Sequence, residues 1–266
     1  MNLGKPIALG RTAEVYKYDE KNIVKLFYNT WARENVEYEF KISKIVSNLG
    51  LQVPEVREIV EIDSRNGIIY EKLEGKSMIQ MMKTKPFQIG KYGQQLAELQ
   101  YSFHQKTVQD LPKQIDKLEH GIGRRAYITE EDKSIIIHKL KELKHKNQLC
   151  HNDFHPDNVL ITDNGPYIID WMTVSQGNSI GDFARSCLML KIGTPPSGFI
   201  DRMLTGFFRS RFYKGYTNRY FDLVDVNKDE LKGWELPIAA HRLNEDNITE
   251  ERNQLLKIIR TLLKNL

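Results

Sequence analysis

The chain has 266 residues, 40% of them apolar and 28% charged. This is the balance of an ordinary soluble protein of one large domain or two smaller lobes, and not of a disordered, collagen-like or membrane-spanning chain. The net charge of +4, the absence of a long apolar run, an N-terminus interrupted by Lys5, Pro6 and Arg11, and only two cysteines, Cys150 and Cys187, argue against a nucleic-acid partner, a membrane partner, a signal peptide, a disulfide framework and a cysteine-based zinc site. The expected location is therefore the cytoplasm.

Residues 7–18 and 22–28 are rich in Val, Ile, Tyr and Phe and flank the turn signal Asp19-Glu20-Lys21-Asn22, which predicts two strands. A helix is expected from Ala32 to Leu49, with Gly50 just past its end. Strands follow at 56–62 and 67–73, split by the turn Asp63-Ser64-Arg65-Asn66-Gly67. From there the pattern turns helical, with helices expected at 77–84, 87–105, 129–146, 180–191, 197–213 and 248–264. Thr129 stands as N-cap of the third of these. One strand pair, Val159–Thr162 and Tyr167–Asp170, interrupts the run. The boundary between a β-rich first lobe (1–73) and a mainly helical second lobe (74–266) is expected near Leu73–Lys76.

Two short motifs imitate known sites and fail on inspection. Gly75-Lys76-Ser77 resembles the end of a phosphate loop, but the Gly required five residues earlier is Tyr70, so Ser77 reads better as a helix N-cap. Asp225-x-Asn227-x-Asp229 resembles the start of a calcium loop, but the sixth and twelfth positions are Glu230 and Leu236 rather than Gly and Glu.

The densest chemistry lies at 150–171, CHNDFHPDNVLITDNGPYIIDW. A three-residue hairpin loop, Asp163-Asn164-Gly165, would centre the strand pairing on Asn164 and set Asn158 opposite Asp170. One amide oxygen and one carboxylate would then converge, an incomplete oxygen shell of the kind that suits Mg²⁺. Asp153 lies five residues upstream of Asn158. Two other readings of the segment stay open. It is also what a polar turn with an Asn-capped strand gives. The alternation His151-x-Asp153-x-His155, in turn, would suit the metal ligands of a hydrolase.

Two residues near the N-terminus stand out against their surroundings. By strand alternation Lys25 shares a face with Ile23 and Phe27, as either an edge lysine reaching water or a buried cation with an anionic partner. Glu39 falls on the apolar helix stripe of Val36, Ile42 and Val46, where a carboxylate needs a partner. Glu34 and Glu37 fall off that stripe. Lys25 and Glu39 are natural mates.

A strand lysine, a helix glutamate, an Asp-x4-Asn loop and a hairpin ending in Asp match the kinase arrangement. In finer spelling the sequence resembles the aminoglycoside phosphotransferase and choline kinase family of small-molecule phosphotransferases. His151-Asn152-Asp153-Phe154-His155-Pro156-Asp157-Asn158 is similar to that family's H-[GN]-D-x-H-P-x-N loop. Ile169-Asp170-Trp171 resembles its I-D-W, and Gly181-Asp182-Phe183-Ala184-Arg185 its G-D-x-A-R element. Glu39 and Pro54 stand at its E-x14-P separation. The resemblance runs from about Leu9 to Leu190. It departs from the family at the loop Leu9–Val15, which has one glycine rather than three, and at Met172 and Thr173, where an acidic residue is common.

The resemblance implies an α+β, protein-kinase-like fold of two lobes and transfer of the γ-phosphoryl group of ATP or GTP to a hydroxyl of a small molecule. Lys25, oriented by Glu39, would hold the α- and β-phosphates. Gly10 and Val15 would cover the nucleotide, and the hinge Glu71-Lys72-Leu73 would offer backbone groups to the base. Asn158 and Asp170 would bind Mg²⁺. Asp153 would orient the acceptor hydroxyl and accept its proton. His151 and Asp182 would brace the loop. In this family the acceptor site lies in the helical lobe, largely after the I-D-W. Segment 221–250 there has eight Asp and Glu against three Lys and Arg. Asp222, Asp225, Asp229, Glu230 and Glu235, with Trp234 as a cation–π surface, would favour a cationic acceptor such as an aminoglycoside or a choline-like amine. The same residues also read as a solvated acidic face, and a neutral sugar is equally permitted. A catalytically silent nucleotide-binding module is the remaining alternative, suggested by the glycine-poor loop.

Overall fold

The structure, a computed structural model, describes residues 3–124, 126–192, 206–225, 227–246 and 248–266. The chain divides into two compact units, Met1–Met81 with Asp157–Met172, and Met82–Pro156 with Thr173–Leu266.

In the first unit, strands β1 (Ala8–Leu9), β2 (Ala13–Lys17), β3 (Asn22–Phe27), β4 (Val56–Ile62) and β5 (Arg65–Glu71) form one antiparallel sheet, in the order β1-β2-β3-β5-β4. The turn before β3 is held by Asp19, whose Oδ1 accepts from the N–H groups of Lys21 (2.7 Å) and Asn22 (2.8 Å). Alternation sorts the strand side chains onto two faces. Ala13, Phe27, Val56 and Ile68 pack with Val36 of helix α1 (Arg33–Ser47). Val24, Leu26, Ile62 and Ile69 form a separate cluster.

The β4–β5 turn is tighter than the five residues expected. Asp63 and Ser64 alone make it, both with positive φ (50° and 63°), and β5 begins at Arg65. Gly67 thus lies inside the strand opposite Leu26, where an added Cβ would stand 2.9 Å from Val24 Cγ2.

Strand β6 (Gly75–Ser77), at the expected lobe boundary, pairs with β8 (Val159–Thr162), which pairs in turn with β9 (Gly165–Ile168). The glycine of the false phosphate motif has a packing reason, because a Cβ on Gly75 would stand 2.6 Å from the Ile161 carbonyl oxygen. Ser77 caps helix α2 (Met78–Thr84): its Oγ accepts from Gln80 N–H (3.3 Å), and Gln80 Oε1 accepts from Ser77 N–H (3.0 Å).

The second unit is helical apart from a two-stranded sheet, β7 (Gln148–Cys150) with β10 (Ser175–Gly177). Helices α3 (Ile89–His104), α4 (Gln114–Gly123) and α5 (Glu130–Glu142) precede β7. Helices α6 (Ser179–Ile192), α7 (Phe207–Leu223), α8 (Lys228–Leu243) and α9 (Arg252–Leu263) follow β10. Thr129 Oγ1 accepts from Asp132 N–H (3.1 Å) and caps α5, but the helix stops at Glu142 rather than 146 because Leu143 is extended.

Helices α4 and α8 have no counterpart among the expected elements. Gly121 and Gly123 weaken the pattern of the first, and Gly233 and Pro237 that of the second. The expected helix 197–213 falls partly outside the described residues, and its later part belongs to α7. The false calcium motif is a helix start, in which Asn227 Oδ1 accepts from Asp229 N–H (2.9 Å) at the N-terminus of α8.

This is the α+β, kinase-like arrangement expected of the sequence, with an antiparallel sheet and one helix in the first part and helices in the second.

Candidate active site

In the first unit β3 aims Lys25 at the face covered by α1, and α1 returns Glu39 on its buried stripe. Lys25 Nζ lies 2.7 Å from Glu39 Oε1 and 3.6 Å from Asp170 Oδ1. The Glu39 side chain is 4% exposed and that of Lys25 19%. Burial pulls the Lys25 ammonium down, but Asp170 and Glu39 outweigh it and hold the group above its ordinary value, so the cation is kept. The Tyr70 hydroxyl donates to Glu39 Oε1 (3.3 Å) and contacts Ser43 Oγ (3.0 Å). Burial pushes the phenol far up, with Glu39 adding to it, so Tyr70 stays a neutral donor. Glu37 instead pairs with Arg33 on the exposed side (2.9 Å).

The β8–β9 hairpin differs in register from the expected one. Thr162 pairs with Gly165 and Val159 with Ile168, so the loop has two residues, Asp163 and Asn164, rather than three. Thr162 Oγ1 stabilises it by accepting from Asn164 N–H (3.1 Å) and donating to Gly165 O (2.8 Å). Asn158 then lies opposite Ile169, whose N–H donates to the Asn158 carbonyl (3.0 Å), and not opposite Asp170. The chain turns sharply at Asp170 (φ 62°), a strained setting for a non-glycine residue and one often found at functional positions. Asp170 leaves the strand alternation there and faces Lys25. Asn158 is 7% exposed and Asp170 is exposed.

Of the remaining nucleotide candidates, Gly10 is exposed and its N–H donates to Ala13 O (2.8 Å), closing the loop before β2. Val15 is half-buried and pairs with Lys25. The N–H groups of Glu71 and Lys72 donate to Glu55 O and Lys21 O, both at 2.8 Å. Leu73 follows, half-buried, beyond the end of β5.

In the second unit the segment 151–155 leaves β7 under tight restraint. Asp182, Arg185 and Ser186 share one face of α6 by their i, i+3, i+4 spacing. Asp182 accepts from the N–H groups of His151 (3.2 Å) and Asn152 (2.6 Å) and meets His104 Nε2 (2.9 Å). Burial pushes its carboxyl up, but His104 and these contacts hold it below the usual carboxylate range. Ser186 Oγ donates to Phe154 O (2.9 Å), and Arg185 Nε donates to Asn152 O. Asn152 has φ 61°, and its side-chain amide donates to Thr173 O (2.9 Å) and Ser175 Oγ (2.8 Å).

The backbone is thus fixed so that Asp153 projects a carboxylate, with Oδ2 3.7 Å from His155 Nε2 and Oδ1 3.9 Å from Arg185 Nη2. Burial raises the Asp153 carboxyl, but His155, Arg185 and His151 more than outweigh it, and Asp153 stays anionic well below neutral pH.

Two sequence readings are corrected here. His151 is fully buried among Phe103 and Phe154, and its Nδ1 accepts from Asp153 N–H (3.3 Å). The His151-Asp153-His155 alternation is therefore no metal cage, and among the described residues no group of three or more His, Cys, Asp or Glu could hold a metal ion. Trp234 is 1% exposed and packs on Gly181, where a Cβ would stand 2.8 Å from the indole, so it offers no cation–π surface. Of the acidic candidates, Asp222, Asp225 and Asp229 are exposed, while Glu230 accepts from Asn178 Nδ2 (3.1 Å).

Two further residues carry no signal in the sequence. Lys117 donates to Thr173 O (2.8 Å), and burial, with Arg185 nearby, lowers its ammonium to about 8. Glu245 pairs with Arg185 at 2.7 Å. Neither lies in a motif, and only the tertiary structure brings them to the Asp153 segment.

Comparison with known proteins bears on the family and the fold. A model of the family described as "Phosphotransferase enzyme family" matches residues 4–234. No curated protein matches the sequence. Among solved structures, aminoglycoside phosphotransferase APH(4)-Ia in a ternary complex with AMP-PNP and hygromycin B is similar with a TM-score of 0.67 and 13% identity, over 98% of this chain and 92% of that one. Amicoumacin kinase hAmiN, in complex with AMP-PNP, Ca²⁺ and Ami, gives 0.62 and 15% over 99% and 89%. A choline/ethanolamine kinase family protein from Mesorhizobium loti gives 0.59 and 12% over 98% and 86%.

Proposed function

The chain belongs to the phosphotransferase enzyme family, and on that premise we propose that it moves the γ-phosphoryl group of ATP or GTP to a hydroxyl of a small molecule with Mg²⁺ as cofactor. The observation that carries this reading is the Lys25 ammonium held between Glu39 (2.7 Å) and Asp170 (3.6 Å). A lysine kept charged beside a second, exposed carboxylate suits phosphate and a divalent cation together, and has little use in a structural core.

The donor set fits the cation. A carboxylate at Asp170 and an amide oxygen at Asn158 are hard oxygen ligands, few in number, which leaves room for water and phosphate oxygens around Mg²⁺. When bound, the metal supplies neutralisation of the charge that develops on the transferring phosphoryl group. Lys25, steadied by Glu39 and Tyr70, holds the α- and β-phosphates. Gly10 and Val15 cover the nucleotide, and the hinge, Glu71 to Leu73, offers backbone groups to the base. Asp153 accepts a hydrogen bond from the acceptor hydroxyl and aligns its oxygen with the γ-phosphorus. As that oxygen bonds to phosphorus and the bond to the β-phosphate oxygen breaks, the hydroxyl proton passes to Asp153. A carboxylate so well stabilised is a weak base, so orientation precedes proton acceptance.

The acceptor we favour is a cationic amino alcohol or sugar, aminoglycosides among them. The exposed Asp222, Asp225 and Asp229 supply negative potential for it in the second unit. Titration calorimetry tests the first half of the proposal. Saturable binding of ATP or GTP is expected with Mg²⁺ and only weak binding with EDTA. No binding of either nucleotide under both conditions would refute the proposal.

A further inference from the structure

Beyond residue 234, where the family match ends, a chain of alternating charges leads back to Asp153. Arg185 Nη1 lies 2.7 Å from Glu245 Oε1, and Glu245 Oε2 lies 2.6 Å from Arg242 Nη1. Arg242 Nη2 and Nε reach the two oxygens of Glu251 at 2.9 and 3.0 Å. His241 Nδ1 stands 3.2 Å from Glu245 Oε1. Arg185, Arg242 and Glu251 are buried, at 5%, 7% and 6% exposure. Buried ions joined so closely are costly to separate, and each fixes the next.

Resting on the kinase reading above, we infer that Glu245 is a positioning residue for the transfer step, holding the Arg185 guanidinium back from Asp153. Arg185 has two carboxylates within reach. It is in direct contact with Glu245 but 3.9 Å from Asp153, while its Nε grips the Asn152 carbonyl. Without the Glu245 charge, Asp153 becomes the nearest counter-ion for a buried guanidinium. Arg185 then swings toward it, releases Asn152 and occupies the oxygen that should receive the acceptor hydroxyl. The alternation of sign prevents this: Glu251 neutralises Arg242, Arg242 steadies Glu245, and Glu245 retains Arg185.

The test compares wild type with Glu245→Gln and Glu245→Asp. In Glu245→Gln the amides of residues 151–153 should exchange hydrogen at least about tenfold faster, while those of Asn22–Phe27 keep their protection. With MgATP and whichever of hygromycin B, streptomycin, gentamicin, choline or ethanolamine is phosphorylated, kcat should fall about tenfold or more, and KM for MgATP should move less than about twofold. Glu245→Asp, which keeps the charge, should recover most of both losses. If Glu245→Gln does not fold, the Asp variant is read by the same exchange measurement, with a smaller rise confined to 151–153. Unchanged exchange at 151–153, or an equal rise throughout α6 and α8, overturns the inference. If none of the five acceptors is phosphorylated, that result counts against the acceptor class proposed above, and exchange alone decides the role of Glu245.

Discussion

Asp153→Asn is expected to lower kcat by about 10²–10⁴-fold, the range of a lost general base, with Mg-nucleotide affinity unchanged within about twofold. The substitution keeps the shape and removes the charge. The backbone around position 153 is held by Asp182, Ser186, Arg185 Nε and Thr173, through bonds to backbone atoms of residues 151, 152 and 154. The loop should therefore survive. Only the alignment of the acceptor and the site for its proton are lost. The nucleotide contacts proposed for Lys25 and Asp170 belong to the other compact unit. Turnover within tenfold of wild type would remove Asp153 from its proposed role.

Asp170→Ala is expected to abolish Mg²⁺-dependent nucleotide binding. Asp170 is exposed and pairs with Lys25 at 3.6 Å, whereas Glu39 retains its 2.7 Å contact. The fold should therefore lose little, because the buried pair stays intact. A ligand at a hundred times its Kd stabilises the native state by about 2.7 kcal/mol, which for a protein of this size raises Tm by roughly 5–10 °C. That shift should appear with MgATP or MgGTP in the wild type and vanish in the variant. An undiminished shift would contradict the assignment.

Much of this site is legible in the amino-acid sequence because its residues sit badly in their local patterns. Glu39 on an apolar stripe and Lys25 on an inward strand face each call for a partner, and the fold brings them to 2.7 Å. The hairpin is legible too, but not its register. Asp163-Asn164-Gly165 is compatible with a loop of two residues or three, and a slip of one residue changes every cross-strand neighbour. The choice depends on Thr162 Oγ1 and on Gly165 at φ 107°, which no pattern of apolar residues encodes. Asp170 faces Lys25 through its own backbone turn and not through strand pairing. Helices α4 and α8 escape the pattern because glycine and proline read as breaks, whereas packing tolerates them: a Cβ on Gly121 would run into the ring of His241. Trp234 reads as a surface residue because its neighbours are acidic, yet it is buried against Gly181. The Arg185–Glu245–Arg242–Glu251 chain is not legible in the sequence: Arg185 stands in the G-D-x-A-R element, but its partners Glu245, Arg242 and Glu251 are ordinary charged residues outside any motif.

The central claim is phosphoryl transfer to a small-molecule hydroxyl, and following the phosphorus tests it most directly. Purified protein would be incubated with Mg²⁺ and ATP or GTP radiolabelled at the γ-phosphorus, over hygromycin B, streptomycin, gentamicin, choline and ethanolamine and a panel of neutral sugars. The expected result is label on at least one acceptor as a phosphate ester, with one nucleoside diphosphate formed for each ester and the rate lowered about 100-fold or more in Asp153→Asn. Label on no acceptor, with both nucleotides left intact, would contradict the account.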